Sequence, residues 1–260
     1  FSALQGASGG LTIPAKGVGG GWIVKLPSDK YLGVPENEYS MMTLARMLGM
    51  NVPTVDLVNI DEIGGLPNEV SALSGKAFVI ERFDRLSDGS AVHMEDFAQI
   101  FGVYPRDKYK KASAANIAKV IAIESDHEDV REFIRRLTFN TLIGNADMHL
   151  KNWSVYYPDR RIARLAPAYD FLSTIPYLPD NGAALKFSRT RRFDEFNEEE
   201  LAHLAGRAGI PKALVLDVAK ETTALFHQYW QVEKNHLPIY QEAVAEIDRH
   251  LALLPIASSW

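Results

Sequence analysis

Apolar residues in the first third of the chain come in short runs. Leu11-Thr12-Ile13, Gly21 to Leu26, Val55 to Ile60 and Ala77 to Phe83 are apolar or alternating, and Gly, Pro and Asp clusters separate them. Such a pattern predicts short strands joined by turns. Between them, Pro35 to Leu48 places Tyr39, Met42, Ala45 and Leu48 at three-residue spacing. This stretch predicts a helix with Gly49 as its C-terminal cap.

The period changes after Asp84-Arg85-Leu86-Ser87-Asp88-Gly89. Helical spacing predicts helices over Met94 to Phe101, Ala114 to Glu124 and Glu128 to Ile143, the last with Val130, Phe133, Ile134 and Leu137 on one face. Ser125 and Glu128 have capping-box spacing at its start. Trp153 to Tyr157 and Ile162 to Leu165 predict a hairpin around Pro158-Asp159-Arg160-Arg161. The remainder is helical, with Asn197 as N-cap before three glutamates and amphipathic stretches from Pro211 to Trp230 and from Pro238 to Leu254. Strands first and helices afterwards predict an α+β fold, with a small β-rich lobe over 1–86 and a larger helical lobe over 87–260.

Composition bounds the function without fixing it. The 260 residues suffice for one large domain or two lobes around a substantial core. A net charge of -5 and a pI near 5.8 argue against nucleic-acid binding through bulk electrostatics. The absence of cysteine excludes disulfides and thiolate metal sites and suits a cytoplasmic protein. No apolar run reaches the roughly 20 residues of a membrane span, and no signal peptide is visible. The chain opens at Phe1 rather than Met. That opening reads as a fragment or as a start lying upstream.

The chemistry concentrates in Asp147-Met148-His149-Leu150-Lys151-Asn152 and Tyr169-Asp170-Phe171, with Lys25 far upstream in an apolar strand. A carboxylate, an amide five residues on, and a second carboxylate behind a hairpin are the parts of a phosphoryl-transfer site, where a base and Mg²⁺ ligands converge. In this reading Asp147 accepts the proton of the attacking hydroxyl. Asn152 and Asp170 are the Mg²⁺ ligands, since hard oxygen donors suit Mg²⁺ on ATP phosphates better than zinc. Lys25 meets the phosphates, and Glu38 on the adjacent helix holds it.

These residues also resemble a known family, the HipA-like serine/threonine kinases, which are toxin halves of bacterial toxin–antitoxin pairs. The resemblance runs over nearly the whole chain through Ile23-Val24-Lys25-Leu26-Pro27, Glu36-Asn37-Glu38-Tyr39, Phe78 to Arg85, Leu142 to Asn152 and Leu165 to Asp170. It implies a two-lobed protein-kinase-like fold, ATP and Mg²⁺ as cofactors, and cytoplasmic phosphorylation of protein Ser or Thr leading to growth arrest. It further implies aminoacyl-tRNA synthetase targets, a HipB-like DNA-binding antitoxin partner, and contact with DNA only through that antitoxin. By the same resemblance His149, Lys151 and Asn152 line the phosphates and Mg²⁺. Glu81, Arg82 and Phe83 form the adenine hinge, and Tyr169 with Asp170 completes the nucleotide site. The family's phosphate loop and autophosphorylated serine would align before Phe1, and Ser2 is not that serine.

Other features read as structural. Glycines 17, 19, 20 and 21 sit too close to Lys25 for a hairpin over phosphates and predict a flexible turn. His93, Glu95 and Asp96 read as a helix start rather than a metal cluster, and Lys186, Arg189, Arg191 and Arg192 as a solvated basic loop. Two alternatives to the protein kinase stay open: a nucleotide- or antitoxin-binding module without catalysis, and a kinase acting on a small molecule.

Overall fold

The computed structural model describes residues 1–6, 9–14, 19–67, 73–86, 88–104, 112–178 and 182–258. Strands β1 (Ser2–Gln5), β2 (Leu11–Thr12), β3 (Trp22–Lys25), β4 (Val55–Asn59) and β5 (Lys76–Glu81) make one antiparallel sheet in the order β2-β1-β3-β5-β4. Successive side chains of a strand leave on opposite faces, and β5 uses both. Ala77 and Val79 pack with Ala3, Leu11 and Val24 in a small cluster, whereas Phe78 and Ile80 join the main core. Lys25 pairs with Phe78 in the β3–β5 register and so stands on the face that turns toward the main core. Its ammonium lies 5.8 Å from the Phe78 ring centroid.

Helix α1 (Val34–Met47) covers that face of the sheet. It begins and ends one residue before the predicted span, and the Gly49 amide donates to Arg46 at 2.9 Å from a left-handed conformation. Gly20, expected to be a flexible turn, has a different role. A Cβ there would fall 1.9 Å from the Ala3 carbonyl oxygen, and the Gly20 amide donates to Ser2 Oγ at 2.8 Å. Close backbone approach, not freedom, requires glycine at this position. Gly17 lies outside the described residues.

A second sheet, in the order β6-β7-β8, contains β6 (Met94–Asp96) and the hairpin of β7 (Ser154–Tyr156) and β8 (Arg164–Leu165). The helix expected over Met94 to Phe101 is therefore split. Its first three residues pair with β7, and only α2 (Phe97–Ile100) is helical, started by a capping box between Asp96 and Gln99. Strand pairing wins over helical spacing because Met94 to Asp96 find a partner edge.

The helical region comprises α3 (Ala114–Glu124), α4 (His127–Leu142), α5 (Glu198–Ala208), α6 (Lys212–Glu233), α7 (Gln241–Leu253) and α8 (Pro255–Ser258). Asn197 caps α5 as expected. The predicted Ser125–Glu128 box at α4 does not form. Asp126 caps α4 by accepting from the Asp129 amide, and Ser125, which ends α3, bonds the Asp129 carboxylate instead. A carboxylate one residue nearer the first turn out-competes the hydroxyl. Helix α4 packs against α6, and Phe133, Phe139, Phe171, Phe226 and Trp230 fill the space around them. Each such burial contributes about 1.5–3 kcal/mol.

Candidate active site

The Lys25 ammonium joins two carboxylates, Glu38 Oε1 at 2.5 Å and Asp170 Oδ1. Glu38 is on α1 and Asp170 follows β8, so one lysine ties the first sheet, its helix and the helical region together. Burial pushes the Glu38 carboxyl up to about 7, against the pull of Lys25 and with that of neighbouring Asp170. Burial works in the other sense on Lys25, but the two carboxylates outweigh it and hold its pKa above the ordinary lysine value.

Several polar side chains that the sequence reading did not single out set this geometry. Asn37, fully buried beside Glu38, donates to the Ser173 carbonyl at 2.9 Å and accepts from the Ser173 amide at 3.2 Å. This pair fixes α1 against the segment after Asp170. Arg136 on α4 bonds Glu132 at 2.7 Å and the Ala166 carbonyl at 2.7 Å, while the Asn51 carbonyl accepts from the Ala168 amide. These bonds anchor the chain leading into Tyr169-Asp170. Asp170 itself has φ of +63°, a left-handed conformation that asparagine and aspartate tolerate better than other side chains.

Asn145 joins the backbones of Asp147 and Asp170. Its amide nitrogen donates to Asn140 Oδ1 at 2.8 Å and to the Asp170 carbonyl at 3.3 Å, and its oxygen accepts from the Asp147 amide at 3.0 Å. Gly144 precedes it at φ +66°, where a Cβ would lie 2.6 Å from Ile175 Cδ1. The turn that presents Asp147 therefore admits only glycine there without a shift of Ile175.

Two cavities flank this junction. One, of about 330 Å³, is walled by Ile23, Ile80, Phe83 and Tyr169, with Lys25, Arg82 and Lys151 and the carboxylates Glu81, Asp84, Asp96 and Asp170 supplying charge. The other, of about 660 Å³, contains Asp147 and lies against Tyr31, Val34, Leu172 and Tyr177. Of the expected nucleotide residues, Lys25, Glu81, Arg82, Phe83, Lys151, Tyr169 and Asp170 line the first cavity. Glu38 stands behind Lys25. Asn152 donates to the Asp147 carbonyl at 3.1 Å, and His149 is buried at 7 % exposure beneath the loop; neither is a wall residue of this cavity. The 3₁₀ turn Leu150–Asn152 brings the Asn152 amide onto the loop's own backbone.

Main-chain bonds tie the start of the expected hinge to its neighbours in the first sheet. The Glu81 amide donates to the Thr54 carbonyl and the Arg82 amide to the Gly21 carbonyl, so both serve the sheet. The Arg82 guanidinium grips Asp84 through two bonds of 2.9 and 2.8 Å. Burial would raise the Asp84 pKa, but Arg82, helped by Arg85, holds it below the usual carboxylate range. Phe83 gives the cavity its ring on this side, stacked on Tyr169 with centroids 5.9 Å apart. Tyr169 is fixed by Ser154 and by a bond to the Lys151 carbonyl at 3.0 Å.

Two of the four cations of the basic loop are neutralised rather than simply solvated, and a third, Arg191, lines the larger cavity. Arg189 pairs with Glu199 and buried Glu200, and Arg192 with Asp194 and Glu195. No group of three or more His, Asp or Glu side chains able to hold a metal occurs among the described residues. None of the described helices is long and apolar enough to cross a membrane.

A protein of Sinorhizobium fredii described as "Putative kinase Y4dM" is 55% identical over 253 residues, covering 96% of this chain and 62% of that protein. The "Serine/threonine-protein kinase toxin HipA" of Shewanella oneidensis is 26% identical over 216 residues, covering 72% of this chain and 45% of the toxin. The chain thus spans roughly half to two thirds of the length of these relatives. Among solved structures, a chain from the Shewanella oneidensis complex of HipA, HipB and operator DNA superposes with a TM-score of 0.78 at 21% identity, covering all of this chain and 63% of that one. The Helicobacter pylori proinflammatory kinase CtkA gives 0.61 at 13% identity over 98% of this chain and 88% of that one. These likenesses establish the two-lobed, kinase-like α+β fold. The sequence profile of the HipA-like C-terminal domain matches residues 2–230, and the chain belongs to that family.

Proposed function

We propose that this chain is the catalytic body of an ATP-dependent serine/threonine protein kinase, the cytoplasmic toxin of a toxin–antitoxin pair with a HipB-like antitoxin that contacts DNA. The observation that carries the reading is the Lys25 ammonium held between Glu38 and Asp170 at the edge of an aromatic-walled cavity. A cation fixed by a buried carboxylate, next to a second carboxylate, is the arrangement that grips and polarises a nucleotide's phosphates. Phe83 and Tyr169 offer an apolar slot for the adenine, and Lys151 a further positive charge.

The residues fit Mg²⁺ of the kind that arrives with ATP. Such an ion takes one or two protein oxygens and completes its shell with phosphates and water, so a three-carboxylate cage is not required. Asp170 and Asn152 would be its protein ligands, and when bound it would neutralise charge on the phosphates. The chemical step belongs to Asp147. Its carboxylate accepts the proton of a Ser or Thr hydroxyl as that oxygen bonds to the γ-phosphorus. The bond from phosphorus to the β-phosphate oxygen breaks, and ADP leaves. Asn145 ties the backbones of Asp147 and Asp170 together, which keeps base and phosphate at a fixed separation.

Incorporation of label from γ-labelled ATP, measured on the full-length protein with its cellular proteins as acceptors, tests the assignment. Asp147→Ala should lower transfer by about 10²–10⁴-fold while leaving the fold intact. Asp170→Ala should abolish it with an intact fold. Unchanged incorporation in either variant removes the assignment. Growth arrest on expression, followed by phosphoproteomics against the Asp147→Ala strain, identifies the acceptor and tests the family's aminoacyl-tRNA synthetase preference.

A further inference from the structure

We infer that the second cavity is the acceptor groove and that it selects a Ser or Thr flanked in its protein by a bulky apolar side chain. The inference rests on the kinase reading above and adds the class of sequence that the enzyme takes. Any hydroxyl that gives its proton to Asp147 must enter the space this carboxylate faces, and Asp147 belongs to the wall of the larger cavity rather than to the nucleotide one. The chemistry of that wall decides what accompanies the hydroxyl.

Tyr31, Val34, Leu172, Tyr177 and Leu178 give the wall its character. Tyr31 and Tyr177 lie 5.3 Å apart at a tilted angle, and Tyr177 and Tyr240 6.2 Å apart, which makes a continuous aromatic row. The row is held rigidly: Asn37 donates to Tyr177 Oη at 3.1 Å, and Gly33 lets the chain approach Tyr240. Leu178 is 48% exposed, and Leu32, next to Tyr31, is 75% exposed. Large apolar side chains left in water around a concave site mark a surface that a partner covers. The cavity volume, about 660 Å³, exceeds what a lone acceptor hydroxyl needs and accommodates a few residues of extended chain. Arg191, which donates to the Ala183 carbonyl at 2.9 Å, brings a cation to this wall, but Tyr31, Val34, Leu172, Tyr177 and Leu178 outnumber it and leave most of the surface apolar. A segment with Leu, Phe, Tyr or Trp near its acceptor would bury that side chain on the tyrosine row.

A positional-scanning library of Ser/Thr peptides, phosphorylated by the full-length protein, reads this directly. At one position or more within three residues of the acceptor, Leu or an aromatic residue should exceed Gly, Asp and Lys by about tenfold in kcat/KM. Leu178→Asp, at an exposed position, should remove most of that preference and lower kcat/KM for the best peptide about tenfold. Its KM for ATP and its melting temperature should match the parent protein. Tyr31→Asp is a second variant with the same expectation for selectivity and for the KM of ATP. A flat library, a preference for charged neighbours, or a Leu178→Asp protein with unchanged selectivity overturns the groove while leaving the kinase. Absence of transfer from ATP to any peptide or protein, or transfer to small molecules alone, removes the kinase reading and the groove together.

Discussion

The two cavities beside Asn145 are built on opposite principles. The smaller one is organised by charge, with a lysine and a carboxylate from distant parts of the chain meeting at its edge. The larger one is organised mainly by rings and aliphatic side chains, with Asp147 and Arg191 as the charged residues in its wall. Charge in a partly closed site can hold a phosphate chain strongly but says little about its neighbours, whereas an apolar wall discriminates shape and size. The proposed transfer reaction needs both, kept apart and joined at one point. In this chain the joint is a buried amide.

Breaking the joint should have the largest effect. Asn145→Ala removes the acceptor of the Asp147 amide and the donor to Asp170, and transfer should fall about 10²-fold while ATP affinity changes little. Steady-state kinetics with separate titration of ATP and acceptor checks this, and an equal loss of ATP affinity would mean that the cavities are not separable. The charged side comes next. Lys25→Met strands Glu38 in the interior and should cost about 1–3 kcal/mol of stability besides weakening ATP binding. Adding Glu38→Gln should restore much of the stability and none of the binding, read by denaturant titration and nucleotide binding.

On the apolar side, Tyr177→Phe keeps the ring but loses the bond from Asn37. A cost of about 0.5–1.5 kcal/mol is expected, with acceptor KM raised and ATP KM unchanged. Remote from both cavities, His250 bonds the Thr141 carbonyl through Nε2 at 2.8 Å, and burial holds its pKa below the ordinary 6.5. A depressed histidine stabilises fully above its unfolded pKa and loses that contribution as pH falls through the folded value. Melting temperature should therefore drop more between pH 7.5 and pH 5.5 in the parent than in His250→Gln, by the equivalent of at most about 1.4 kcal/mol per pH unit. Kinetic preferences of the two cavities should not move with this substitution.

Local patterns carried much of the fold. The strand containing Lys25, the helix with Glu38, the hairpin before Asp170 and the Asn197 cap are written in short stretches, where period and capping chemistry act within a few residues. The misreadings are equally local in cause. Met94 to Asp96 have helical spacing, yet a partner strand far along the chain claims them. Ser125 lost the cap to its neighbour because two adjacent side chains could both reach the first turn. What the sequence hid is long-range: Asn37 to Ser173, Arg136 to Ala166 and Asn145 to Asp170 are ties between residues with no local signature. A buried asparagine looks the same in a string of letters as one in a surface turn. The apolar groove is hidden for the same reason, since its wall is assembled from segments near 31, 147 and 177 that form no single run.

Strand β5 has one further consequence. Its alternate side chains are shared between the small cluster under the first sheet and the large core that continues into α4 and α6. Neither cluster can melt while this strand stays whole, and loss of its pairing exposes Phe78 and Val79 to water at once. Heating should accordingly disassemble the sheet and the helices together, in a single calorimetric transition whose van't Hoff and measured enthalpies agree. The same strand that aims one wall of the smaller cavity should thus make unfolding an all-or-none event.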